Sequence, residues 1–315
     1  TSEDDIYYYK DEKRKDSVTK SLADFHSYIK KKIITENTNQ GHLLDLACGR
    51  AGDLNHWLDT NLKSIVGVDY NRDNLDSLNG ACNRVLNSYS KNPNELLDNI
   101  MFLCGDSGKN LENGAAAKDE LSKYYLDIVY GNINMDDIKV PKLKRFYNLG
   151  NGGFDVVSVQ FAIHYFFKSK KILNQFLENV STSLKEGGRF IGTCLDGRRV
   201  FNMLKKNKVI TSYSNDTLLW KLIRRYDSKS FTNDDSCLGQ EIDVYFNSIG
   251  NTTSEYLVNF DYFIDQCKKY NLEMIEIIPF EKLYSKSLNY GTANQLTSEL
   301  MTYSFLNNYF ILEKK

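Results

Sequence analysis

Four short apolar runs in this chain each reach a polar residue at or near their carboxyl end: HLLDLACG carries Asp45, SIVGVD ends on Asp69, NIMFLCGD on Asp106, and FDVVSVQF holds Gln160. Between these runs the apolar spacing changes to a helical period. DLNHWLDTNL (53–62), NRDNLDSLNGACNRVLNSY (71–89) and KKILNQFLENVSTSLKEGG (170–188) read as helices. The second is opened by Asn71 or Asp73 as cap. The third has Ile172, Leu173, Phe176, Leu177, Val180 and Leu184 on one face and a Gly pair as its stop. A fifth strand, RFIGTCLD, follows at 189–196. Continuous apolar strands alternating with helices predict an α/β fold: a mostly parallel twisted sheet, helices on both faces, right-handed crossovers. Ligands of such sheets bind beyond the carboxyl ends of the strands. Asp45, Asp69, Asp106 and Gln160 are therefore expected to line one crevice.

Ahead of the first strand, residues 17–34 place Val18, Leu22, Phe25, Ile29 and Ile33 at helical spacing, with His26 and Lys30, four apart, expected on a different face. Two stretches interrupt the alternation, at about 107–150 and 200–258. On the ligand side of an α/β sheet such insertions commonly carry substrate recognition. The final part, EYLVNFDYFIDQCKKYNLEMIEIIPF with SFLNNYFILEKK, reads as a helix between late strands. No internal repeat and no Pro-rich or Gly/Ser-rich linker divides the sequence. The expectation is a single domain over 1–315, with an N-terminal helical arm at about 1–40.

Forty Lys and Arg against 41 Asp and Glu give a net charge of −1, which excludes a globally basic nucleic-acid binder and confines any such surface to local clusters. Candidates are Lys30 to Lys32, Lys142 to Arg145, Lys168 to Lys171, and Arg198 with Arg199; taken singly, each reads as a solvated run. The six cysteines are scattered, without a CxxC pair or a histidine at zinc-ligand spacing, so free thiols and no metal centre are expected. No apolar run approaches the roughly 20 residues that span a bilayer, and TSEDDIYYYK does not read as a signal peptide. A soluble intracellular protein with no membrane partner is the expectation.

DLACGRAGD (45–53) lacks the GxGxxG of dinucleotide sites, since Gly49 and Gly52 are its only glycines, yet Asp69 ends the second strand where a carboxylate reaches ribose hydroxyls. An acid for a ribose without a glycine cradle for a pyrophosphate points to an adenosine ligand lacking a diphosphate, and S-adenosylmethionine fits. LLDLACGRAGD followed by VGVD resembles motif I and its acidic partner in class I S-adenosylmethionine-dependent methyltransferases, which implies a Rossmann-like fold. By that resemblance Asp45 and Gly49 approach the methionine portion and Asp69 accepts the ribose hydroxyls. Asp106, in CGDS, accepts the adenine amino group, with Ser107 beside it.

The methyl acceptor is suggested by QFAIHYFF (160–167), which is similar to the QFxxHYxF segment of messenger RNA cap guanine-N7 methyltransferases. DFHSYIKKKII resembles that family's N-terminal helix, CGRAGDLNHWL its CGKGGDLxKW, GGRFIGTCLDG its GGxFIGTTPD, and SEYLV its xEYLV. These matches keep the family order over residues 22–261; YFILEKK matches more weakly. The resemblance implies that Lys30, Asp45, Gly49, Asp69, Asp106, Ser107 and Gln160 hold the cofactor. It implies that His26, Arg50, His164, Tyr165, Glu255 and Tyr309 hold the cap guanine and its phosphates.

Three departures stand out. Arg50 and Ala51 replace Lys-Gly, His26 stands where cellular members carry asparagine, and Asn307 aligns with a terminal tyrosine for which Tyr309, on the same strand face, is the candidate substitute. The implied activity is methyl transfer from S-adenosylmethionine to guanine N7 of GpppN-capped mRNA, leaving S-adenosylhomocysteine. N7 carries a lone pair and no proton, so no acid/base residue is expected. Glu255 is expected to stabilise the developing positive charge instead.

Implied partners are the capped 5′ end of mRNA and other capping enzymes, RNA polymerase II or an activating subunit. The implied site of action is the nucleus, or a cytoplasmic viral factory for a domain of a viral capping protein. The alternatives are an S-adenosylmethionine-dependent enzyme with a small-molecule or other RNA acceptor, and a non-catalytic cofactor-binding capping subunit.

Overall fold

The computed structural model describes residues 17–289 and 295–315; the first part of the expected N-terminal arm, 1–16, lies outside them. Eleven strands follow in chain order: β1 (Gly41–Asp45), β2 (Leu62–Asp69), β3 (Ile100–Cys104), β4 (Phe154–Gln160), β5 (Leu184–Leu195), β6 (Val209–Ser214), β7 (Thr217–Arg224), β8 (Glu241–Phe246), β9 (Thr252–Tyr256), β10 (Leu272–Pro279) and β11 (Asn307–Lys314). The helices are α1 (Lys20–Asn37), α2 (Leu54–Leu58), α3 (Arg72–Asp76), α4 (Ala81–Lys91), α5 (Glu120–Val129), α6 (Leu149–Gly152), α7 (Lys170–Ser183), α8 (Gly197–Met203), α9 (Phe260–Lys268), α10 (Glu281–Asn289) and α11 (Ser298–Ser304).

Seven strands form one mixed sheet in the order β10-β11-β5-β4-β1-β2-β3. Strands β1 to β5 pair in parallel, and β11 runs antiparallel to both β5 and β10. The chain walks from β1 to the β3 edge and then returns to β4 on the other side of β1. That reversal opens a crevice beyond the carboxyl ends of β1 and β4. The apolar runs bury as expected: Leu43, Ile65, Val66, Val68, Val156, Val157 and Val159 are inaccessible to solvent.

Several boundaries differ from the sequence expectation. The helix expected over 71–89 is broken into α3 and α4, because a Cβ at Gly80 would lie 2.6 Å from the Leu75 carbonyl oxygen and only glycine permits that turn. The helix expected over 170–188 stops at Ser183. Its Gly pair lies inside β5, with Gly187 at φ +73° and the register against β4 shifting between Phe154 and Val156; the glycines form a bulge, not a helix stop. Only Leu54–Leu58 of the expected 53–62 helix is helical. Val18 is 49% exposed and precedes α1, whereas His26 is 8% exposed and joins the buried stripe, four residues after Leu22 and three before Ile29. The expected separation of His26 from the apolar face is therefore corrected. Helices α10 and α11 had no counterpart in the sequence reading.

Residues 200–258 contribute a second, antiparallel sheet in the order β6-β7-β8-β9. Its strands alternate: Ile242, Val244 and Phe246 of β8 are buried while Glu241, Asp243 and Tyr245 are not. Register places Trp220 opposite Phe246, Thr253 opposite Val244 and Glu255 opposite Ile242, all on that inner face. Residues 107–150 carry the chain from the β3 edge toward β4 and include α5 and the start of α6.

Candidate active site

The loop after β1 is built around two carboxylates. Asp45 accepts from the Ala47 N–H at 3.0 Å. Asp69 accepts from the Gly49 N–H through Oδ2 at 2.7 Å, and from the Asn71 N–H and Asn74 Nδ2 through Oδ1 at 3.0 and 2.9 Å. Gly49 sits at φ +53°, and a Cβ at Gly49 or Gly52 would meet no heavy atom within 4 Å, so the loop leaves open space above its backbone. Burial raises the Asp69 carboxyl in spite of its three donors. Asp45 is pushed up to about 8, by burial first and then by the charge of Asp53.

Four further residues close this half of the crevice. Lys30 Nζ, on α1, lies 2.5 Å from Asp53 Oδ1. Asp106 Oδ1 accepts from the Gly108 N–H at 2.9 Å, and the Ser107 hydroxyl donates to the Leu46 carbonyl at 2.7 Å, lacing the β3 exit to the β1 loop. Gln160, at the end of β4, donates to Ser158 Oγ at 3.1 Å and accepts from Thr193 Oγ1 at 3.0 Å.

The second half of the crevice begins at the 3₁₀ turn Ile163–Lys168, directly after β4. It presents His164, 5% exposed, whose ring centroid lies 4.2 Å from that of Tyr165. His164 Nδ1 is 3.7 Å from Glu255 Oε2 of β9, too far for a direct hydrogen bond. Burial pushes the imidazole down to about 3 and the carboxyl up to about 7. At neutral pH the pair is consequently not an ion pair. Thr253 Oγ1 donates to Glu255 Oε1 at 3.4 Å, while His164 Nε2 is buried with no hydrogen-bond partner among the described residues. Such an orphan is costly unless a ligand completes it. Arg50, on the glycine loop, lies 3.5 Å from Asp73.

Two predicted substrate residues are placed elsewhere. His26 contacts Ser304 Oγ at 2.9 Å and stacks on Phe161, with ring centroids 5.2 Å apart; burial and then Lys30 push it down to about 3. In this structure it packs beneath the crevice, between Phe161 and Ser304. Tyr309 is 3% exposed and pairs with Thr193 in the sheet, but its hydroxyl donates to Glu276 at 2.8 Å, on the β10 edge. That hydrogen bond ties the Tyr309 hydroxyl to β10.

Tyr303 of α11 packs near Glu255. Its ring lies 4.9 Å from Phe246 and 5.8 Å from Trp220 on the inner face of the small sheet, and burial and then Glu255's charge push its phenol up. Sequence spacing gives no signal for it, because the sequence pattern does not predict α11.

The fold is shared with solved methyltransferases. One from Streptomyces caelestis, CcbJ, superposes with a TM-score of 0.52 at 11% identity, covering 98% of this chain and all of that one. An S-adenosylmethionine-dependent methyltransferase from Clostridium acetobutylicum gives 0.50 at 15% identity, covering 96% and 94%. Among curated relatives, the probable mRNA-capping enzyme of Acanthamoeba polyphaga mimivirus is 29% identical over 279 residues, 84% of this chain and 22% of that protein. The mRNA cap guanine-N(7) methyltransferase of Saccharomyces cerevisiae is 24% identical over 275 residues, 85% of this chain and 54% of that one. This chain thus spans between about a fifth and about a half of the length of these relatives. Residues 5–309 match the mRNA (guanine-N(7))-methyltransferase domain, and the chain belongs to that family.

Proposed function

We propose that this chain transfers a methyl group from S-adenosylmethionine to N7 of the guanine of GpppN-capped RNA. The observation that carries the reading is the His164–Glu255 pair, a buried acceptor and an unpartnered imidazole nitrogen, set beyond β4, the strand that pairs with β1. Family membership and the names of the relatives support the same acceptor.

The residues around the β1 loop fit the cofactor. Carboxylates stand at the ends of β1 and β2, and the Gly49 cradle is open. S-adenosylmethionine, when bound, supplies an electrophilic methyl group on a sulfonium. Lys30, Asp45, Gly49, Asp69, Asp106 and Gln160 are the residues assigned to hold it; Ser107, whose hydroxyl is already given to Leu46, braces the loop they share.

On the acceptor side the chain needs only to bind and orient. Guanine N7 offers a lone pair and no proton, so neither His164 nor Glu255 is assigned an acid or base role. A guanine edge carries N1–H and N2–H donors beside the O6 acceptor. The Glu255 carboxylate matches the donors. The Tyr303 phenol, held protonated, is a donor suited to the acceptor. As the purine becomes cationic during transfer, Glu255 and the face of Tyr165 bind it more tightly than the neutral base. Orientation of the two partners can contribute about 7–11 kcal/mol in favourable cases. Arg50, on the glycine loop, is assigned to the phosphate bridge.

The test is incubation with methyl-labelled S-adenosylmethionine and GpppA-capped RNA, followed by nuclease digestion. Labelled N7-methylguanosine is expected. Label on ribose or adenine would assign a different RNA methyltransferase, and no label with intact cofactor binding would assign a silent subunit.

A further inference from the structure

Phe161, the first residue after β4, has φ +52°, a left-handed conformation that a bulky side chain adopts only when its surroundings enforce it. Its N–H donates to Thr193 O at 2.9 Å and to Thr193 Oγ1 at 3.1 Å. This strained residue separates Gln160, on the cofactor side, from His164, on the guanine side. Its ring is held by His26: the two planes are 16° apart, and Phe280 meets both edge-on, at 5.1 Å from His26 and 6.0 Å from Phe161. His26 is anchored in turn by Ser304. One helical turn further along α1, Lys30 reaches Asp53 behind the glycine loop. Helix α1 therefore grips both halves of the crevice, the β1 loop through Lys30 and the β4 exit through His26.

We infer that His26 is a positioning residue for methyl transfer: by packing on Phe161 it fixes the left-handed turn that sets Gln160 toward the donor and His164 toward the acceptor. The inference rests on the proposed cap methylation. A group that aligns two bound partners without touching either acts on turnover rather than on binding, and small misplacements at the reacting centre can cost on the order of a hundredfold.

The experiment compares His26→Ala, His26→Phe and His26→Asn. Alanine is expected to lower kcat on GpppA-capped RNA by about ten- to a hundredfold, with KM for RNA and cofactor within about threefold. Phenylalanine keeps the stacked ring and should recover most of the turnover; asparagine keeps a polar partner for Ser304 but no ring and should not. A raised KM for capped RNA at unchanged kcat, full turnover in His26→Ala, or rescue by asparagine alone would each overturn the inference.

A thermal-melting cycle of His26→Ala, Phe161→Ala and the double variant supplies a second readout. A coupled pair leaves the double variant close to the less stable single variant, and strictly additive losses contradict the coupling. A wild-type chain inactive on capped RNA would count against the proposed function instead, and the melting cycle would still decide whether His26 holds Phe161.

Discussion

His164 Nδ1 faces Glu255 Oε2 across 3.7 Å, joining the exit of the large sheet to the inner face of the small one. Neither group is comfortable charged there: burial pushes the histidine down to about 3 and the glutamate up to about 7. Only the glutamate titrates near neutrality. Its carboxylate is the form that accepts from guanine, so kcat/KM for capped RNA should fall about tenfold per unit as pH drops below about 7. Glu255→Gln should lack that limb and lose on the order of a hundredfold in turnover while binding S-adenosylmethionine normally. Rate profiles between pH 5.5 and 8.5 for both proteins check this; near-wild-type turnover in the variant would remove Glu255 from the chemistry.

In the proposed complex, the unpartnered Nε2 of His164 is assigned to the same ligand. Removing a buried hydrogen-bonding partner costs about 1–3 kcal/mol. His164→Ala is therefore expected to raise the dissociation constant of a GpppA cap analogue by about five- to a hundredfold, with cofactor affinity unchanged. Calorimetric titration measures both, and an unaltered cap titration would return His164 to the core.

Tyr303 and Tyr309 make opposite predictions. Tyr303→Phe keeps the ring against Phe246 and Trp220 but removes the donor, and should weaken cap-analogue binding by about 0.5–1.5 kcal/mol. Tyr309→Phe removes only the hydrogen bond to Glu276 and should leave the cap KM unchanged. Steady-state kinetics on the two variants separate them; the reverse pattern would restore Tyr309 to the guanine site.

Asp45 carries a stability signature. Its folded-state pKa, about 8, lies above the unfolded value near 4, so the folded protein holds a proton that the unfolded chain releases between those limits. The stability contributed by that proton is complete below pH 4 and is lost as pH rises toward 8. Asp45→Asn keeps an oxygen for the Ala47 N–H and has no proton to lose. In the absence of cofactor, the variant's melting temperature should gain on the wild type between pH 5 and 8.5. Parallel melting curves would contradict the raised pKa.

The sheet and the positions of Asp45, Gly49 and Asp69 at its strand ends are legible because their signals are local. An apolar run followed by Asp69 is a strand end by itself, and the Gly49 loop follows within the same segment. Boundaries differ at Gly80, where a close turn against the Leu75 carbonyl five residues earlier breaks the helix, and at Gly187, bulged within β5 where its pairing with β4 shifts register. The acceptor half is assembled from distant segments. His164 and Glu255 were reachable only through the resemblance of their flanking motifs, and Tyr303 was not reachable at all, since nothing near it in sequence indicates that α11 packs under the small sheet. For His26, a single polar residue within an apolar stripe gives no indication of whether it turns toward a ligand or toward neighbours; here it packs on Phe161 and Ser304.

The central claim is that N7 of the cap guanine is the methyl acceptor, and a cap built with 7-deazaguanine tests it most directly, because that base keeps the Watson–Crick edge but has carbon in place of the nucleophile. With labelled S-adenosylmethionine, GpppA-capped RNA should become labelled while the 7-deaza cap remains unlabelled and competes for binding. Equal labelling of the two RNAs would contradict transfer to N7.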